Sequence, residues 1–298
     1  MNKIYAMKQP LSNGENMIHK SDASRLELML PDELMKRLKT ASEHSGISIV
    51  DMTLQILRRY LSGAQKENAV FLSAPINALV EGFFVEDTSI ALVKEHGDFG
   101  LGTFDYLDGE MVMLDGIVYQ IKSDGKVYDV KDDEGSPFAC VTFFNPDTFD
   151  DIEESAEPQE LYSLLNKLIP SENMLYAIRC DGIFSHIKTR AVSKSDNYRP
   201  LVEATKDQPT FDFFDVKGCL AGFYTPRFME SLNAPGYHLH FLTDNRQQGG
   251  HLIECTLKKA RIGIQHVPKL DVGLPITLDF LTANLTRDIG RDLDKAEK

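Results

Sequence analysis

Residues 236 to 251 read GYHLHFLTDNRQQGGH, and this stretch decides how the larger part of the chain is built. Taken as a strand, it sets His238 and His240 two residues apart, so both rings leave the same face about 6.6 to 6.8 Å apart along the backbone. The polar, glycine-ending run from Asp244 to Gly250 reverses the chain. A register that pairs His240 with His251 then brings a third ring to that face. Three neutral imidazoles converging on one point suit a zinc ion with open coordination positions, the arrangement of catalytic rather than structural zinc. Glu254 differs in parity from His251 and points off the site face.

Outward from this stretch, the chain beyond residue 69 is rich in short alternating strands joined by turns. Residues 117–122 and 126–130 flank Ser-Asp-Gly, and residues 175–180 and 183–189 flank Asp181-Gly182; both patterns predict hairpins. Residues 158–168 carry the clear helical pattern between them, a candidate divide between two halves, roughly 69–168 and 169–298. Strand and helix do not alternate regularly, which excludes a doubly wound parallel sheet. The expected class is α+β, with mostly antiparallel or mixed sheets in a two-subdomain unit.

A small strand-helix-helix module precedes it. Leu26, Leu28 and Leu30 alternate with Arg25, Glu27 and Met29 in a short strand. Leu34, Leu38 and Ala41 recur at helical spacing up to Ser45-Gly46. A second helix starts at Ser48, with Val50, Leu54, Leu57 and Leu61 as its apolar stripe. So small a unit cannot bury these faces alone, so a homodimer is expected. The pattern over 22–62 resembles a ribbon-helix-helix module, whose outward strand residues read DNA. Against DNA binding here stand Glu27 and a near balance of charge, seven Lys or Arg against six Asp or Glu between Lys20 and Ser62. Residues 1–21 are expected to form a disordered arm and 63–68 a linker.

Composition sets the outer limits. A net charge of −13 argues against a surface that wraps phosphates. The apolar runs fall short of the ~20 residues a bilayer span needs, and the polar N-terminus lacks a secretory signal, so a cytoplasmic enzyme is expected. The four cysteines, Cys140, Cys180, Cys219 and Cys255, show no C-x-x-C spacing and read as reduced structural thiols.

Several blocks then share one resemblance: GDFGLGTF at 97–104, LDGEM at 107–111, PFA at 137–139, AIR at 177–179 with Asp181-Gly182, Thr189-Arg190, and the histidine block at 238–251. In this order they resemble the alpha-acetolactate decarboxylases, from Phe71 nearly to the C-terminus. The resemblance implies conversion of 2-acetolactate to acetoin and CO2, with zinc as the Lewis acid that stabilises an enediolate. It implies that Glu110 and Arg190 line the metal pocket with Thr103 close by, and that a glutamate near the C-terminus enters it. Glu297 is the best-matched position for that glutamate, with Asp294 as a substitute. Arg190 is expected beside the oxygen that becomes the enediolate, and Glu110 to position or protonate the enediolate carbon. Two alternatives stand beside this reading. One is a cupin-like metalloenzyme, which also uses H-x-H on a strand; the other is a DNA-binding regulator whose large domain senses acetolactate or acetoin.

Overall fold

The structure, a computed structural model, describes residues 29–45, 48–50, 53, 68–153 and 159–297. The chain divides into two compact units, 1–65 and 66–298. In the first, helix α1 (Asp32–Ser45) stands where the Leu34–Leu38 spacing expects a helix and ends at the same serine. The 1–21 arm, most of the leucine strand, most of the second helix and the 63–68 linker other than Asn68 lie outside the described residues. No helix among the described residues is long and apolar enough to cross a membrane.

The second unit is α+β. Its strands are β1 (Ala69–Leu72), β2 (Phe99–Thr103), β3 (Glu110–Leu114), β4 (Ile117–Ile121), β5 (Val127–Asp129), β6 (Ala139–Thr142), β7 (Thr148–Ile152) and β8 (Gln159–Glu160). They continue with β9 (Leu175–Arg190), β10 (Thr210–Thr225), β11 (Gly236–Thr243), β12 (Gly249–Val267) and β13 (Lys269–Val272). Between them lie the helices α2 (Ile76–Val80), α3 (Ile90–His96), α4 (Leu161–Leu168) and α5 (Leu201–Ala204), and after them α6 (Leu278–Thr282) and α7 (Gly290–Glu297). One sheet runs β13-β1-β6-β2-β3-β4-β5 and is antiparallel except for the parallel pair β1–β13. The other runs β11-β10-β9-β12-β7, and an added β11–β12 pairing closes four of its strands on themselves. The two expected halves exchange strands. The first sheet takes β13 from the C-terminal end, and the second takes β7 and β8 from before residue 168. Helix α4 begins at Leu161, because Gln159 and Glu160 pair with β12 instead.

Side-chain parity sorts the core. On β9, Tyr176, Ile178 and Cys180 pack with Leu161 and Leu165 of α4, with Leu220 of β10 and with Leu239 and Phe241 of β11. The alternate residues Ala177, Cys219, Ala221 and Leu242 face Phe99 and Leu101 of β2 and Val112 and Leu114 of β3. Strands buried on both faces read as continuous apolar runs rather than alternating ones. The β3 residues are buried from end to end for this reason. The four cysteines are free, and burial pushes the Cys255 thiol up to about 12, in keeping with a packing role.

One hairpin is as expected, β4 pairing with β5 across Ser-Asp-Gly. The second is not: residues 175–190 form one unbroken 16-residue strand, and Asp181-Gly182 lies in its middle. Gly182 pairs with Gly218 on one side and Ala260 on the other. A Cβ built there would meet the Lys259 carbonyl oxygen at 2.3 Å and the Ala260 Cβ at 2.8 Å. The glycine therefore serves a close approach of strands rather than a turn. Asp181 is held by Arg179, whose Nε donates to its Oδ2 at 2.7 Å. Gly182→Val should accordingly push β9 and β12 apart, at a cost of about 1 to 3 kcal/mol. In urea the midpoint should fall while the slope stays constant; an unchanged midpoint would refute the close-approach account.

Candidate metal centre

Register assembles the site. On β11, His238 and His240 share the parity of Leu242, which turns them toward the first sheet. His251 pairs with His240 on one side and with Arg190 on the other. A row His240–His251–Arg190 thus crosses β11, β12 and β9, with His238 one step along. Arg190 reaches this face because Ile187, three residues earlier, points into the opposite core.

The first sheet supplies the facing residues by the same rule. Glu110 shares the parity of Val112 and Leu114, and Thr103 that of Phe99 and Leu101, so both point between the sheets. Thr103 Oγ1 donates to the Gly109 carbonyl at 2.8 Å and so ties the β2–β3 connection. Val192 N–H donates to Glu110 Oε1 at 3.0 Å. The other carboxylate oxygen, Oε2, lies 3.6 Å from His240 Nε2.

The three imidazoles are buried, and one ligand atom from each lies within 4.8 Å of the others. Ring centroids are 4.9 to 5.1 Å apart. His238 and His240 bring their Nε2 atoms to 3.2 Å of each other. Tetrahedral coordination with metal–nitrogen bonds of about 2.0–2.1 Å needs an edge of roughly 3.3–3.4 Å, so the His238–His240 edge matches an ion of that kind. The chemistry of the donors fits as well. His240 Nδ1 lies 2.8 Å from the Met111 carbonyl, to which it donates, so the lone pair is on Nε2, facing the triad. Burial first, then the Arg190 charge, lowers His238 to about 3; burial also holds His240 well below its ordinary value. Both rings are therefore neutral donors at neutral pH. Arg190 Nη2 stands 3.3 Å from His251 Nε2 and donates to the Ala296 carbonyl at 2.5 Å.

A small cavity of about 50 Å³ opens onto the triad. Thr103, Glu110, Arg190, His238, His240 and His251, all anticipated from the sequence, line it together. The C-terminal segment is ordered as α7, with Leu293 and Ala296 buried and Ala296 on the cavity wall. Glu297 is the next residue, and its side chain lies outside the described set. The rest of the lining carried no expected role. Ile76, Leu79, Phe138, Leu201, Thr205 and Gln208 also line the cavity. Most sit in short helices and connections, where no periodic pattern or spacing marks them.

The comparisons agree with this architecture. A family model for alpha-acetolactate decarboxylase matches residues 70–287. The alpha-acetolactate decarboxylase of Methanosarcina mazei is 40% identical over 232 residues, which span 78% of this chain and 81% of that protein. The enzyme of that name from Bacillus licheniformis is 35% identical over 262 residues, spanning 87% of this chain and 98% of that protein. The crystal structure of the Bacillus subtilis alpha-acetolactate decarboxylase superposes with a TM-score of 0.73 at 35% identity, covering 77% of this chain and 99% of that one.

Proposed function

The chain belongs to the alpha-acetolactate decarboxylase family, and on that premise we propose that it converts 2-acetolactate to acetoin and CO2 at a zinc ion held by His238, His240 and His251. The observation that carries the reading is the cross-strand row His240–His251–Arg190 facing the buried carboxylate of Glu110. A family match running through both sheets sets aside the cupin-like alternative. Because that match begins at residue 70, the 22–62 module is read as a pairing element of a homodimer, outside turnover.

The substrate is a β-keto acid. When its C–C bond to the carboxylate breaks, the electron pair moves onto the ketone oxygen, and a proton must later reach the carbon that lost CO2. A zinc ion, when bound, supplies a Lewis acid able to share that charge. Arg190 adds a fixed cation beside the triad. Its charge favours the transition state if it faces the oxygen that becomes negative rather than the departing carboxylate. Glu110 is the proton donor in this reading. The Val192 N–H fixes one of its oxygens and leaves the other toward the triad, a geometry suited to protonating one face of the enediolate and so making one enantiomer. The apolar side chains of Ile76, Leu79, Phe138 and Leu201 in the lining lower the local polarity, which strengthens each of these charge interactions. Glu297, one residue beyond the cavity-lining Ala296, is proposed as a second carboxylate that closes the pocket.

Acetoin formation from acetolactate by the full chain tests the reading. Activity should vanish when chelation removes the metal and return on adding zinc. A metal-replete protein that forms no acetoin would overturn the decarboxylase assignment. Full activity in protein shown to be metal-free would overturn the metal part alone.

A further inference from the structure

Gln208 lines the cavity from the connection between α5 and β10, and its Oε1 is buried with no hydrogen-bond partner among the described residues. Its placement follows from register. Thr210 pairs with Arg190, and Ala191 N–H donates to the Pro209 carbonyl at 3.3 Å, so the pairing continues past the end of β10. One step further, Gln208 stands across from Val192, on the same side as Arg190. Val192 is the residue whose N–H fixes Glu110, and both Val192 and Arg190 line the cavity.

A buried acceptor left unsatisfied bears the desolvation penalty of the group without the return of a hydrogen bond, so few are kept without a reason. At neutral pH the polar groups of acetolactate are a carboxylate, a ketone and a tertiary hydroxyl. The first two only accept hydrogen bonds; the hydroxyl alone carries a hydrogen to donate.

Resting on the decarboxylase reading, we propose that Gln208 is a substrate-binding residue whose Oε1 accepts a hydrogen bond from the tertiary hydroxyl. The pocket thereby selects 2-hydroxy-3-oxo acids over 3-oxo acids that lack the hydroxyl. A site built to pair with a hydroxyl rejects analogues without it, because its own polar atom is then left bare.

The test is calorimetric, on the zinc-loaded full chain, with two acids that do not react. One is 2-hydroxy-2-methylpropanoate; the other, 2,2-dimethylpropanoate, has a methyl in place of the hydroxyl. Gln208→Met keeps the length and flexibility of the side chain and removes the acceptor. The preference for the hydroxy acid should fall on the order of tenfold, in line with one hydrogen bond and its exposed partner. Affinity for the dimethyl acid, zinc content and far-ultraviolet dichroism should not change. With acetolactate itself, KM should rise more than kcat falls. An unchanged preference ratio, or an equal loss for both acids, would overturn the proposal. A parent protein that forms no acetoin would remove the underlying reading and this proposal with it, and that failure appears without any substitution.

Discussion

Replacing His251 by alanine should strip the protein of most of its metal and nearly all of its activity while leaving the fold intact. His251 is the middle residue of the row, paired with His240 on one side and Arg190 on the other. Without it, two imidazoles remain, both on β11, and the convergence that suits a single ion is lost. Removing a group that only supports a metal ligand typically costs 10–100-fold in affinity, so deleting a ligand should cost more than about 100-fold. Activity should fall in step with metal content. The fold should survive because the pairing of β11 with β12 is made by backbone groups that the substitution leaves in place. Metal analysis, dichroism and acetoin formation on one preparation give the answer. Full metal content in this variant would show that the ion is held elsewhere.

Glu110→Gln should do the reverse: keep the metal and lose the rate. The amide preserves the side chain's shape and can still accept from the Val192 N–H, so the pocket should keep its form. It cannot deliver the proton. A positioned general acid is typically worth 10²–10⁴-fold, and a fall in kcat of about that size is expected with zinc content unchanged. The enantiomeric purity of acetoin should fall too, since water then protonates either face. Loss of metal instead of rate would assign Glu110 to holding the ion. If both rate and purity match the parent, the proton comes from another group, and Glu297 on the C-terminal helix takes its place.

Much of this was open to reading in the chain itself. An H-x-H in a strand, followed by a polar glycine-ending run and a third histidine, determined both the β11–β12 hairpin and the pairing of His240 with His251. The reason is that strand parity and turn composition are local, and each acts over a few residues. The same locality misled at Asp181-Gly182. Those residues carry turn chemistry, yet the strand runs straight through because β10 and β12 press on both of its sides.

What the tertiary structure alone decided is the company the histidines keep. Arg190 stands 61 residues from His251 in sequence and Glu110 lies 128 residues before His238, and only the pairing of β9 with β12 and the packing of the two sheets bring them together. Their inclusion among the expected residues came from family resemblance, since an arginine ending a strand and a glutamate after Asp-Gly carry no local mark of function. Of the remaining lining, Phe138 falls in the resemblance block at 137–139, but Ile76, Leu79, Leu201 and Gln208 had neither signal. They become part of a site only when short segments far apart in the chain close over one cavity, because burial is a property of the packed molecule and periodicity a property of the single strand or helix.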